Sequence, residues 1–169
     1  MLSKRMFALL TAASFGFTLM SVGSATRAAD PEWVYPTIQK YGKVVFNMIG
    51  AGDADKVNPS LDRVARAVNI FTSAGVPVSH LHFVVVIHGP ATPSVLDNTH
   101  YREKFNVDNP NVKLIGELEK VGVKVVVCGQ ALAGQNFPHD WVDPQVEITL
   151  AAISDVIILE QEGYVFFPL

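Results

Sequence analysis

The 169-residue sequence contains one cysteine and fewer basic than acidic residues. A single cysteine excludes a disulfide within the chain. The 13 lysine and arginine residues stand against 16 aspartate and glutamate residues, which gives a formal net charge of −3. Because binding to a phosphate backbone needs a basic surface, this balance indicates that nucleic acid is not a partner.

The sequence also lacks the long uninterrupted apolar run of a membrane-spanning helix. Lys4 and Arg5 precede an apolar stretch over residues 6–22 that polar residues interrupt, and small residues follow it. This order is typical of a secretory signal peptide, here residues 1–29, with a retained membrane anchor as the alternative. Cleavage removes three basic residues and no acidic ones, which leaves a net charge of −6. We therefore expect a periplasmic or secreted protein without a membrane anchor after cleavage.

A glycine pattern for dinucleotide binding is missing as well. Gly50 and Gly52 follow the first predicted strand, but Asp55 stands where the pattern requires a third glycine. The segment is therefore interpreted as a flexible turn between a strand and a helix. No haem or flavin signal is present either, and we expect no cofactor.

After a predicted irregular lead-in at residues 30–42, residues 43–169 have the pattern of a single α/β domain. Short apolar, β-branched runs predict five strands, at residues 43–49, 80–87, 123–127, 145–149 and 164–167. Helical spacing and cap residues predict helices beginning at Asn58, Asn109, Gln130 and Ala151. Strand propensity at residues 155–159 leaves a strand as the alternative for the last of these. Alternating strands and helices favour a mostly parallel sheet with right-handed crossovers.

Cys128 is predicted to lie at the carboxyl end of the third strand. Ligands and chemistry collect at that edge of open α/β sheets. A short helix beginning just after Cys128 would place free backbone amides near the sulfur, which favours the thiolate. The alternative is a small buried side chain that ends a strand, as most free cysteines do.

His88 ends the second predicted strand, so a parallel sheet would place it at the same edge as Cys128. Its imidazole would move protons to or from a bound sulfur compound, and Gly89 would allow close approach. The alternative is a histidine that hydrogen-bonds only to local backbone groups. Gln130 is predicted either to orient a ligand or to cap the short helix.

A metal site is the competing hypothesis. Three histidines alternate along the second predicted strand, at positions 80, 82 and 88. The first and last lie roughly 26 Å apart at about 3.3 Å per residue, so they cannot share one ion. His88 with Cys128 would need further ligands from His100 or His139. This shortage of ligands leads us to expect no metal.

Four segments together resemble the DsrE/DsrF-like family of sulfur-handling proteins. They are VVIHGPA, NPNVKLIGELEKVGVKV, VCGQALA and LEQEGYVFFPL, and the resemblance extends over nearly all of residues 43–168. It implies a flavodoxin-like three-layer α/β fold with about five strands that assembles into homotrimers or larger rings such as hexamers. In sulfur-relay members, a cysteine just after the third strand accepts sulfur as a persulfide, and Cys128 occupies that place.

Two residues between the second and third strands complete the predicted site. Tyr101 and Arg102 are expected to cover the pocket, and Arg102 would hold an anion. Cys128 would then take sulfur from a donor and pass it to a partner protein. The alternative is a non-catalytic small-ligand-binding or assembly module of the same fold, in which the thiol has no chemical role.

Overall fold

The computed structural model describes residues 42–169, so the predicted signal peptide and nearly all of the lead-in lie outside the described residues. The described chain contains five strands: β1 (Lys43–Met48), β2 (His82–Ile87), β3 (Lys124–Cys128), β4 (Glu147–Thr149) and β5 (Val165–Pro168). It also contains five α-helices: α1 (Pro59–Ser73), α2 (Asn98–Phe105), α3 (Val112–Lys120), α4 (Gly129–Gly134) and α5 (Ala152–Gln161). In this part of the chain no helix combines the length and the apolar character needed to cross a membrane.

The five strands form one sheet in the order β4-β3-β2-β1-β5, and every neighbouring pair is parallel. Residues of α1 and α3 pack on one face, against side chains such as Phe83 and Val85. Residues of α5 pack on the other face, against Val84 and Val86. Helices therefore cover both faces, which confirms the predicted three-layer α/β fold.

Helix α1 begins where its sequence signals predict. The Asn58 side chain accepts a hydrogen bond from the Ser60 N–H at 2.9 Å, and Pro59 occupies the first helical position. Such a cap contributes about 1 kcal/mol to stability. The buried side of α1 is formed by Leu61, Val64 and Val68.

Helix α3 begins two residues later than the Asn109-Pro110 pair predicts. The buried Asn109 amide donates to the carbonyls of Ser94 and Leu96 at 2.9 and 2.6 Å, and its Oδ1 accepts from the Asn111 N–H at 3.0 Å. The side chain therefore joins the segment after β2 to the chain before α3. The regular helix starts at Val112.

The segment after β4 forms the helix α5, as predicted, and not the strand that was the alternative. The apolar residues of α5 are only partly buried. Ala152 is buried, and Val156 and Leu159 pack partly buried against the sheet. Ile153 and Ile157 of the same helix are 73% and 48% exposed. These two side chains lie near the site described next.

Candidate functional site

Cys128 is the last residue of β3, and its backbone precedes the first turn of α4. It lies on the sheet face covered by α5, among Val86, Val126 and Ala152, and is 7% exposed. The thiol is therefore largely surrounded by aliphatic groups, as expected if Cys128 is a small buried side chain that ends a strand. It also lines a cavity, as the functional hypothesis requires.

His88 directly follows β2, and the strand register places it beside Cys128. Ile87 pairs with Val127, so the next residues of the two chains, His88 and Cys128, lie at the ends of adjacent parallel strands. Neighbouring strands are about 4.8 Å apart. Both residues line the same cavity. The structure thus brings together the two residues predicted to act on sulfur.

The imidazole of His88 is held by Asn47 of β1. Its Nε2 lies 2.9 Å from the Asn47 Oδ1. An amide oxygen only accepts, so Nε2 carries the proton and Nδ1 is the basic nitrogen of the neutral ring. The backbone N–H of His88 also donates to the Met48 carbonyl at 3.1 Å, which extends the pairing of β1 and β2.

Burial lowers the pKa of His88 below its ordinary value of 6.5. Desolvation disfavours the charged imidazolium, so the ring is neutral at pH 7. A neutral ring with a free Nδ1 accepts a proton and supplies no positive charge. His88 is therefore suited to act as a base or a hydrogen-bond acceptor in this cavity.

Two glycines fix the backbone around the site. Gly89 has a φ of +56°, a backbone conformation that residues other than glycine rarely adopt. Its carbonyl accepts a hydrogen bond from the Gln135 side-chain amide at 2.8 Å. This bond joins the turn after His88 to the end of α4. At Gly129 a β-carbon would lie 2.7 Å from the Thr149 carbonyl oxygen, so a side chain there would push β4 away from the start of α4.

The cavity that Cys128 lines, here called the cysteine cavity, has a volume of about 440 Å³. It lies between α5 and the carboxyl ends of β1, β2 and β3. Its polar lining consists of Asn47, His88, Cys128 and Gln130. Its apolar lining consists of Ala151, Ala152, Ile153, Val156, Ile157 and Phe166. Gln130 lies exposed in the first turn of α4.

Tyr101 and Arg102 do not lie where the sequence analysis expects them. The Tyr101 hydroxyl donates to the Ala54 carbonyl at 2.9 Å, and the ring lines a separate cavity of about 220 Å³. Arg102 is exposed and paired with Asp108. Neither residue lines the cysteine cavity, because α2 packs over the loop after β1 instead.

The histidines do not assemble a metal centre. His80 lies in the short 3₁₀ segment Val78–His80 before β2, so it does not continue the alternation of His82 along the strand. His100 bonds to Asp97 and stacks on Trp141. Within residues 42–169 no group of three or more His, Cys, Asp or Glu side chains is arranged to hold an ion.

Asn47 is absent from the site predicted from the sequence, although a signal for it was available. After Lys43 it is the one polar residue of β1, and it has the same parity as the buried Val45. A polar side chain on a buried strand face requires a partner. No comparable pattern in the sequence indicates that Phe166 and Ile153 line the cavity, because their positions depend on how β5 and α5 pack.

Comparison with known proteins places the chain among related folds. The DsrE/DsrF-like family model matches residues 40–168. The protein of unknown function MTH1491 from Methanobacterium thermoautotrophicum is 15% identical, with a TM-score of 0.52 over 75% of this chain and 97% of its own. The ychN protein from E. coli is 16% identical, with a TM-score of 0.56 over 75% of this chain and 98% of its own. These two likenesses extend to the fold alone, and no curated protein matches significantly.

Proposed function

Because the chain belongs to the DsrE/DsrF-like family, we propose that it is a sulfur carrier in which Cys128 accepts one sulfur atom and passes it to an acceptor. The family supports a role in sulfur handling in general. The persulfide on Cys128 is the specific part of the proposal. The observation that carries it is the placement of the thiol beside His88 in a cavity of about 440 Å³.

The proposed loading step is a transfer of sulfane sulfur. The Cys128 thiolate attacks the outer sulfur of a donor R–S–SH, a new S–S bond forms, and the donor S–S bond breaks. The donor leaves as R–S⁻ and takes the proton released by the Cys128 thiol, so the step gives Cys128–S–SH and R–SH without net oxidation. An acceptor thiolate then removes the outer sulfur by the same exchange.

Each polar residue of the cavity has a role in this scheme. His88, neutral and oriented by Asn47, accepts the proton of the Cys128 thiol through Nδ1 and returns it to the leaving thiolate. Gln130 positions the outer sulfur with its side-chain amide. The hydrogen bond between Gln135 and the Gly89 carbonyl holds the end of α4 against the loop after β2. It thereby keeps Cys128 and His88 side by side at the edge of the sheet.

Intact-mass measurement tests the proposal. The purified protein is treated with inorganic polysulfide, and we expect a mass gain of about 32 Da per chain that a thiol reductant removes. The matched variant Cys128→Ser should show no gain. A wild-type thiol that neither inorganic polysulfide nor an uncharged trisulfide modifies contradicts the carrier and leaves the non-catalytic ligand-binding module, which the 7% exposure of Cys128 favours.

We also propose that the protein self-associates as a trimer or hexamer. A groove of about 450 Å³, here called the α1–β5 groove, is lined by Val44, Phe46, Arg63, Arg66, Ala67, Ile70, Phe71, Phe83, Phe167 and Leu169. Ile70 and Phe167 at this groove are 59% and 50% exposed. Exposed apolar side chains around a groove mark interaction surfaces. The groove lies on the sheet face opposite Cys128, so a second copy there leaves the cysteine cavity open.

The first residues of the sequence support a proposal for the compartment in which the reaction takes place. The charge and apolar pattern of residues 1–29 supports export, so we propose a periplasmic or secreted sulfur carrier with a sulfur-donating or sulfur-accepting partner in the same compartment. An oxidising compartment also favours mixed disulfides of an exposed thiol. The low exposure of Cys128 limits that side reaction with large disulfides.

A further inference from the structure

The cysteine cavity differs from other cavities of this protein in its charge. Three other cavities in residues 42–169 each include at least one lysine or arginine, among them Lys56, Lys113 and Arg63. Among the described residues, no lysine, arginine, aspartate or glutamate lines the cysteine cavity. Its polar groups are two amides, an imidazole and the thiol.

The imidazole does not supply the missing positive charge. Burial lowers the pKa of His88, and its Nε2–H already bonds to the Asn47 oxygen. An anion entering this cavity would lose hydration without gaining a cationic partner. The net charge of −3 adds a weaker long-range repulsion. The site therefore selects against sulfur compounds that carry a negative charge.

The same cavity offers apolar surface to a ligand. Ile153, Ile157 and Phe166 line it, and they remain 73%, 48% and 39% exposed. A small alkyl group resting on these side chains would remove apolar surface from water on both partners, which is favourable. The volume of about 440 Å³ lies within the range of small-molecule sites.

We propose that the sulfur donor of Cys128 is an uncharged organic polysulfane, R–S–S–S–R with small apolar R groups, bound in the charge-free cavity between α5 and the carboxyl ends of β1, β2 and β3. This inference rests on the proposed sulfur-carrier function. It deepens that function by naming the chemical class of the donor.

The transfer from such a donor balances without an external oxidant. The Cys128 thiolate attacks the central sulfur, one S–S bond of the donor breaks, and R–S⁻ leaves with the proton of the thiol. The product is Cys128–S–S–S–R. A low-molecular-weight thiol R′–SH then attacks the outermost sulfur, which releases R′–S–S–R and leaves Cys128 as the persulfide.

A series of three trisulfides that differ in charge tests the inference. Loading of the purified protein by diethyl, bis(2-hydroxyethyl) and bis(2-carboxyethyl) trisulfide is followed by intact mass, and each rate is divided by that of free 2-mercaptoethanol with the same reagent. We expect the diethyl compound to load fastest and the dianionic carboxyethyl compound at least about tenfold more slowly. Inorganic polysulfide serves as the reference donor.

Two exposed positions of α5 provide matched charge variants. Ile153→Lys places a cation at the cavity, and we expect the ratio of diethyl to carboxyethyl rates to fall about threefold. Ile158→Lys introduces the same charge at a residue that is 52% exposed and does not line the cavity, and the ratio should stay unchanged. An unchanged ratio in Ile153→Lys contradicts this cavity as the donor site.

The outcomes separate the inference from the function on which it rests. If all three trisulfides load Cys128 and the carboxyethyl compound is as fast as the diethyl compound, the donor class is wrong and the carrier function stands. The same holds if inorganic polysulfide loads Cys128 and no trisulfide does. If neither polysulfide nor any trisulfide modifies Cys128, the carrier function itself is overturned.

Discussion

At the scale of single residues, the site depends on one hydrogen bond between two strands. Asn47 fixes the proton of His88 on Nε2, which leaves Nδ1 as the base on the ring beside Cys128. Neither Asn47 nor His88 is charged, and this suits a thiol that is surrounded by aliphatic groups. The proposed chemistry therefore depends on proton transfer rather than on a fixed cation.

We predict that His88 makes the protein less stable as the pH falls. Burial lowers the pKa of His88 in the folded protein below 6.5, so the unfolded chain binds this proton first. The free energy of unfolding should decrease from about pH 6.5 downwards, until the pH reaches the lower folded pKa, and this contribution should be absent above that range.

Urea unfolding of the wild type and of His88→Gln between about pH 7.5 and pH 5 measures this contribution. The variant should show a smaller decrease in the free energy of unfolding over the same range. Equal decreases in the two proteins would show that the folded structure does not suppress protonation of His88.

The positions of single residues could be predicted only where strand order decides them. Cys128 and His88 were placed together because Cys128 ends one strand and His88 follows another at the same edge of a parallel sheet. The prediction that Tyr101 covers the cysteine cavity was wrong, because its hydroxyl bonds to Ala54, 47 residues away. No local pattern in the sequence indicates that contact. Arg102 was misplaced for a similar reason, since its partner Asp108 lies beyond the end of α2.

At the scale of elements, β4 closely approaches the start of α4 at the residue that follows Cys128. Cys128 pairs with Thr149 in the register of β3 and β4, and Gly129 follows immediately. The absence of a side chain at Gly129 lets the Thr149 carbonyl approach the backbone there. This contact sets the direction in which α4 leaves β3.

We predict that Gly129→Ala destabilises the protein by about 1–3 kcal/mol. The new β-carbon would lie 2.7 Å from the Thr149 carbonyl oxygen, so β4 must shift. Gly134→Ala is the matched control in the same helix, because a β-carbon there meets no atom within 4 Å. Its effect should be neutral or stabilising by up to about 1 kcal/mol. Denaturant unfolding of both variants tests this, and equal stabilities would contradict the close approach.

The boundaries of elements were predictable where a cap acts locally. Asn58 and Pro59 mark the start of α1 because the cap bonds to the helix that it begins. Asn109 makes the same local bond through Oδ1, but its amide also bonds backward to Ser94 and Leu96, and α3 starts two residues later than predicted. The apolar content of α5 predicted a helix correctly, but it did not reveal that Ile153 stays exposed beside the cavity.

At the scale of the whole molecule, the alternation of strands and helices was sufficient to predict a parallel α/β sheet, and the family resemblance supplied the three-layer flavodoxin-like fold. Parallel strands, right-handed crossovers and two covered faces leave few arrangements for five strands. The position of β5 beside β1 is the feature that alternation does not specify. It creates the α1–β5 groove on one face and brings Phe166 to the cysteine cavity on the other.

We predict that Ile70→Glu weakens self-association without unfolding the protein. Ile70 is 59% exposed in the α1–β5 groove, so the charge should change the free energy of unfolding of a single chain by less than about 0.5 kcal/mol. In a contact between copies the same charge would lose its hydration, and the nearby Arg63 and Arg66 of the groove would offset that loss only in part. Analytical ultracentrifugation should therefore show a trimer or hexamer for the wild type and smaller species for the variant.

The matched control is Ile158→Glu, which places the same charge on α5 outside the groove. It should keep the wild-type assembly. Dissociation by Ile158→Glu alone would place the contact on the α5 side of the sheet and contradict the groove. A monomeric wild type at all concentrations would contradict self-association itself.

The central claim is that Cys128 both receives and releases sulfur, and a single cycle with labelled sulfur measures both. The protein is loaded with ³⁵S from inorganic polysulfide or from diethyl trisulfide labelled at its central sulfur, separated from the donor, and mixed with a thiol acceptor. The account predicts about one label per chain, absent in Cys128→Ser, that moves to the acceptor. Label that never binds to Cys128, or that remains on the protein after the acceptor is added, would contradict it.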